Sequence, residues 1–269
     1  MNEEQTRRNE PQSPSKEGSR HRPDPARVVV VTGGTGALGS RIVRRFSANG
    51  NPVYVPVRNG SRTGGTGQGA GSEAEDFFPS SDLSEGGPVL LHACDVTDSE
   101  AIETFFASVA EAEGRLDVLV NGVGGFDMAP VVETGPEGWR KMMEMNATSA
   151  FLCSRSAIPW MKESRWGRIV NVASMPALER GSPGMAAYGA SKTALLHLTY
   201  SLADELVEDG VTVNAVVPTV IDTPANREAM PDASREKWLD PGEIAEVVAF
   251  LASDAAEIVT GAAIPLSRG

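Results

Sequence analysis

Tyr188 and Lys192 stand four residues apart in the run Tyr188-Gly189-Ala190-Ser191-Lys192. On a helix that spacing puts both side chains on one face, one turn apart. A phenol beside an ammonium gives up its proton more easily than its ordinary value of about 10 allows. Such a pair suits proton transfer to or from a carbonyl or alcohol oxygen. A solvated surface pair would carry the same letters, so the reading needs company. Ser174 lies 14 residues before the tyrosine, and a Gly-rich string lies far upstream. His21, His92 and His197 are scattered, and Cys94 and Cys153 have no zinc spacing. Neither a metal site nor a Ser–His nucleophile system is expected.

The elements that must hold these residues alternate β and α from Arg27 onward. Apolar runs at 28–31, 52–57, 89–91, 116–120, 168–172, 211–217 and 262–266 read as strands. Leu38, Ile42, Val43 and Phe46 recur at helical spacing, as do Ile102, Phe105, Phe106 and Val109. Two long helices are expected at 139–161 and 186–207, and a further helix at 244–251. Strands and helices alternating in this way predict one α/β domain, a doubly wound parallel sheet with helices on both faces.

Between the first strand and first helix lies Thr32-Gly33-Gly34-Thr35-Gly36-Ala37-Leu38-Gly39. Glycines there let the backbone turn sharply and approach a pyrophosphate seated at the helix N-terminus. A Gly-rich structural turn is the alternative. After the second strand the chain reads Val57-Arg58-Asn59, where an NAD-specific site would carry a carboxylate for the ribose. A guanidinium suits a 2′-phosphate, so NADP is the expected cofactor, with NAD as the other candidate.

With these motifs in view, residues 27–266 resemble the short-chain dehydrogenase/reductase family. Asp95-Val96 resembles the pair that contacts adenine, and Asn121-Gly122-Val123-Gly124 the Asn-Asn-Ala-Gly motif. Asn146, Ser174, Tyr188 and Lys192 match the catalytic tetrad. Pro218-Thr219-Val220-Ile221-Asp222-Thr223 resembles the segment holding the nicotinamide carboxamide. There are two departures. Ala37 stands where one subgroup has its second glycine, with Gly36 filling the spacing of others, and Thr219 replaces a glycine after Pro218. The resemblance implies that Tyr188 protonates a carbonyl oxygen and Ser174 holds that oxygen. Lys192 would bind the ribose hydroxyls and lower the tyrosine's pKa, and Asn146 would keep a water in line with Lys192. It also implies a homotetramer or homodimer formed through the two long helices.

Composition sets bounds on these implications. The 269 residues suffice for one large core. No apolar run approaches a membrane span, and a net charge of −12 argues against nucleic acid. A cytoplasmic enzyme with a small-molecule carbonyl or alcohol substrate is expected, a carbonyl reductase or, as the family resemblance equally implies, a 3-oxoacyl thioester reductase. Residues 1–26 read as a disordered tail, and 60–87 as a flexible Gly/Ser-rich insertion. Within it, Thr63-Gly64-Gly65-Thr66-Gly67 repeats the letters of the nucleotide loop without its strand or helix.

Substrate walls are expected from Phe126, Met128, Met175, Leu178 and Met185, with 221–238 as a lid. Parts of that lid (222–227, 230–233 and Trp238) also resemble dihydropteridine reductases. Those typically lack the serine and use NADH, whereas Ser174 and Arg58 are present here. A non-catalytic dinucleotide sensor is a further alternative, disfavoured because Tyr188 and Lys192 are both kept. An extended-subgroup epimerase would need more than the 77 residues that follow Lys192.

Overall fold

The computed structural model describes residues 26–58, 78 and 86–268. All but the last residue of the expected N-terminal tail, and the Thr63–Gly67 repeat, lie outside the described residues. Seven parallel strands form one sheet in the order β3-β2-β1-β4-β5-β6-β7. They are β1 (Val29–Thr32), β2 (Val53–Val57), β3 (Val89–Ala93), β4 (Val118–Asn121), β5 (Gly167–Val172), β6 (Val211–Pro218) and β7 (Ala263–Leu266). The order reverses between β1 and β4, which leaves a crevice beyond the carboxyl ends of those two strands.

Strand periodicity decides which helices cover which face. Val29 and Val31 of β1 join a core with Ile42, Val43 and Phe46 of helix α1 (Ala37–Ala48) and Ile244, Val248 and Leu251 of the late helix Pro241–Leu251. Val28 and Val30 join the opposite core, with Ile102, Phe105 and Phe106 of α2 (Ser99–Glu113). Residues one apart on a strand point to opposite faces, so buried valines on both parities require helices on both sides. Phe78 and Gly87 anchor two points of the 60–87 insertion on the α1 side. Phe78 is buried in that core, and Gly87 N donates to Ser47 O at 2.7 Å.

The helix expected over 139–161 is broken in two. It consists of α3 (Pro136–Met143), a π-helical turn Glu144–Thr148, and α4 (Ser149–Ser164). The extra residue in that turn carries no Gly or Pro signal, because such π-bulges are set by tertiary partners. Helix α5 (Ala186–Leu206) follows β5 and carries Tyr188 and Lys192. Two further helices are α6 (Pro224–Ala229) and α7 (Pro241–Leu251). Asp240 caps α7 in a capping box with Glu243. No described helix is long and apolar enough to cross a membrane.

At the opposite end of the sheet, Asp117 is fully buried just before β4. Its Oδ2 accepts from Val28 N at 2.8 Å, and its Oδ1 accepts from Arg115 at 2.9 and 2.7 Å. Removing the carboxylate strands the Val28 N–H at the entry to β1. Asp117→Ala is therefore expected to lower unfolding free energy by about 1–3 kcal/mol in urea titrations; an unchanged midpoint would contradict this role.

Candidate active site

Every residue assigned to chemistry lies at the carboxyl ends of the strands. Gly33 follows β1 at φ +68, where a Cβ would lie 2.9 Å from the Gly122 carbonyl. The two crevice loops therefore touch backbone to backbone. Gly39 meets the first loop from α1, and a Cβ there would lie 2.0 Å from Gly33 O. Gly36 is the N-cap of α1 with no side-chain cap, and the first turn of that helix carries no acid. Its free N–H groups and positive dipole end face the crevice mouth. Ala37 is exposed as the first residue of the helix, so the steric demand falls on Gly33 and Gly39 and an alanine is tolerated between them.

Thr32, which the sequence reading passed over, ties the loops together. Its Oγ1 accepts from Gly122 N at 3.1 Å and Val123 N at 3.3 Å. Thr35 and Leu38, in the turn and the first residues of α1, are half-buried. Past β3, Val96 is buried, and Asp95 accepts from Thr97 N at 3.0 Å and Thr97 Oγ1 at 2.8 Å. Those hydrogen bonds, with the nearby Arg58 guanidinium, hold the Asp95 carboxyl below its ordinary value despite an opposing burial effect. Arg58 itself is exposed immediately after β2.

Asn121 turns its amide away from the crevice. Its Nδ2 donates to Asn171 Oδ1 at 2.8 Å and to Ser154 Oγ at 3.2 Å, while Asn171 donates onward to Thr199 Oγ1 at 2.9 Å. The Asn121 amide nitrogen is thus committed within the fold, while its Oδ1 is buried without a partner among the described residues. Asn171 was legible as a polar residue inside an apolar strand, in register with Asn121.

At the end of β6, Pro218 is buried, and Thr219 N just after it donates to Leu266 O at 3.0 Å. The lid base is pinned by a bridge from Ile221 to Leu239, with Val220 exposed beside it. Thr223 caps α6, its Oγ1 accepting from Asn226 N at 3.1 Å. That cap leaves the Thr223 hydroxyl proton available to a ligand.

The tetrad converges. Ser174 follows β5, with its hydroxyl neighbouring the Tyr188 phenol. Burial pushes the Tyr188 phenol up and outweighs the neighbouring Ser174 hydroxyl, which pulls it down. The expected depression of this phenol is thus not reached in this arrangement, since Lys192 is held elsewhere. Lys192 is buried, its Nζ donates to Val172 O at 2.8 Å, and burial lowers its pKa from 10.5 to about 8. Asn146 sits in the π-turn. It accepts from Gly125 N at 2.9 Å and donates to Gly125 O and Ser191 Oγ, both at 3.0 Å. A Cβ at Gly124 would lie 2.9 Å from Asn146 Oδ1 and 3.1 Å from Lys192 Nζ, so both polar heads face the same bare backbone. Ser191, embedded in the motif yet unassigned from sequence, also donates to Tyr188 O at 2.7 Å.

These features fit a dinucleotide. The glycine cradle admits no side chain, the α1 N-terminus lacks a cap, and the rim after β2 carries a cation and no acid. Comparison with known proteins agrees. Residues 74–269 match the family model described as enoyl-(acyl carrier protein) reductase, and 29–114 match that of the NAD-dependent epimerase/dehydratase family. The meso-2,3-butanediol dehydrogenase of Serratia marcescens is 34% identical, covering 90% of this chain and 94% of that protein. The 3-oxoacyl-[acyl-carrier-protein] reductase MabA of Mycobacterium tuberculosis is 32% identical, over 91% and 92%. A solved short-chain dehydrogenase/reductase from Serratia marcescens, a doubly substituted mutant, superposes with a TM-score of 0.77 at 28% identity, over 91% and 98%. The chain therefore belongs to the short-chain dehydrogenase/reductase family, a family of NAD(P)-dependent oxidoreductases.

The lysine has a measurable signature. Its folded value lies below its ordinary one, so between about pH 8 and pH 10.5 the unfolded chain binds more protons and stability rises with pH. Against Lys192→Met, the ligand-free wild type is expected to gain on the order of 3 kcal/mol across that window in urea unfolding. A pH-independent difference would contradict the buried ammonium.

Proposed function

We propose that this protein is an NADPH-dependent carbonyl reductase, acting in reverse as an alcohol dehydrogenase, with Tyr188 as its acid and base. The observation that carries the reading is the half-buried Tyr188 phenol beside Ser174, one helical turn before the buried Lys192. When bound, the nicotinamide cofactor supplies or accepts the hydride.

Gly33, Thr35, Gly36, Ala37, Leu38 and Gly39 would cradle its pyrophosphate, with Gly122 and Val123 closing the other side. Asp95 and Val96 would flank the adenine. Pro218, Val220, Ile221 and Thr223 would hold the nicotinamide end. Ser174 positions the substrate oxygen next to the phenol, and Tyr188 delivers the proton as negative charge grows on that oxygen. Lys192, drawn from Val172 O toward the ribose hydroxyls, would place its positive charge near the phenol. That charge lowers the tyrosine's pKa, offsetting the burial that now raises it. Asn146 and the bare Gly124 backbone keep the far side of Lys192 polar, as a proton path through water requires.

Arg58 supports the choice of NADPH, since its guanidinium stands at the β2 edge and Val57 offers nothing to repel a phosphate. Apolar side chains exposed on α3, α4 and α5, Trp139, Phe151 and Tyr200, support assembly into a homodimer or homotetramer. A cytoplasmic location is part of the same proposal.

Oxidation of NADPH and NADH by the purified protein over a carbonyl panel tests the reading. Turnover with NADPH preferred is expected. Arg58→Ala should raise the KM for NADPH about tenfold, close to the loss of one charge-assisted contact, while that for NADH stays put. Equal use of the two cofactors, or an Arg58→Ala variant with unchanged constants, would reject the NADPH assignment.

A further inference from the structure

Resting on the reductase reading, we infer that the site takes a neutral, largely apolar cyclic or aromatic ketone and discriminates against anionic substrates, thioesters of coenzyme A included. Two independent observations lead there. The first is Phe126, whose ring meets the Tyr188 ring edge to face at 5.0 Å between centroids and 80° between planes. Although it touches the catalytic phenol, Phe126 is 61% exposed. A large aromatic surface left open beside the reacting group is a contact surface for what reacts there. Met128 extends the same face at 58% exposure, set against Gly184, where a Cβ would lie 3.2 Å from Met128 Cγ. The loop carrying both side chains is fixed to the catalytic side by Ala129 N donating to Gly184 O at 2.8 Å.

The second observation is charge. A cavity of about 150 Å³ opens between Asp127, Glu133, Thr134, Gly184 and Ala187, next to Met128 and one residue before Tyr188. Its two ionisable lining groups are both carboxylates. Residues 126–135 carry two acids and no base, 174–185 carry one of each, and 221–238 carry four acids against three bases. Arg227, on the lid, is already held by Asp222 at 2.6 and 2.8 Å. An anionic substrate tail lying along Met128 would meet repulsion from Asp127 and Glu133, with no base among the described residues lining that cavity. A neutral ring would cover Phe126 and Met128 at no such cost.

Three probes decide the matter: α-tetralone, its ring-carboxylated counterpart and acetoacetyl-coenzyme A, each with NADPH present. Binding is followed by ligand-observed NMR and turnover by NADPH absorbance. The expected result is kcat/KM for tetralone at least about tenfold above either anion, with tetralone binding weakened about tenfold in Phe126→Ala, the loss of one aromatic contact. In the double variant Asp127→Asn with Glu133→Gln, discrimination against the carboxylate should shrink. Preference for either anion, or tetralone affinity indifferent to Phe126, overturns the inference even if the enzyme is an active reductase. Phe126-dependent binding of tetralone with no turnover would uphold the inference and overturn the reductase reading instead.

Discussion

The buried amide of Asn171 has partners on both sides, Asn121 on β4 and Thr199 on α5, and the position of α5, which carries Tyr188 and Lys192, depends on that chain of hydrogen bonds. All three side chains are buried, so each missed bond would cost the full desolvation of an amide or hydroxyl. Apolar contact between α5 and the sheet would tolerate sliding, because dispersion is non-directional. The chain of amides does not, and only one register satisfies it. Once α5 is placed, Lys192 reaches the carbonyl of Val172 at the end of β5, and Tyr188 reaches Ser174 two residues farther along. The π-turn at Asn146 is locked into the same arrangement through Ser191.

The crevice is built on a complementary constraint, the absence of side chains. β1 and β4 are neighbours, and the loops after them touch at Gly33 and Gly122, with Thr32 satisfying the amides of Gly122 and Val123. Polar heads that would otherwise be expensive to bury are admitted where backbone is bare, as with Lys192 and Asn146 beside Gly124. The lysine sits there with its proton loosely held, because burial disfavours the ammonium and one carbonyl offsets only part of that cost. A ligand bringing hydroxyl oxygens to Nζ would stabilise the charged form. On the proposed role of Lys192, cofactor binding and its protonation state would be coupled.

The sheet and its covering helices were legible from β-branched runs and apolar spacing, and the seven strands lie within two residues of the expected bounds. The tight turn between β1 and α1 was legible because glycines between a strand and a helix mark a sharp backbone turn. What escaped has a common physical origin. The break around Asn146 depends on Gly125 and Ser191, which are remote in sequence. The inward turn of Asn121 depends on Asn171 and Ser154, and the direction of the Tyr188 shift depends on how deeply α5 is buried. Each is a tertiary outcome of a side chain with more than one way to satisfy itself. Thr32 and Ser191 were missed because a hydroxyl beside a glycine or a lysine has no spacing rule to betray its partner.

The central claim is that one phenol carries the proton in a site otherwise assembled to hold a dinucleotide and a carbonyl. Its most direct test is Tyr188→Phe, with NADPH affinity measured by fluorescence titration alongside single-turnover NADPH oxidation on a ketone the wild type reduces. The account predicts an unchanged dissociation constant with turnover lowered by at least about 100-fold, within the range for removing a general acid. A variant that binds NADPH and still reduces the ketone at near wild-type rate would contradict it.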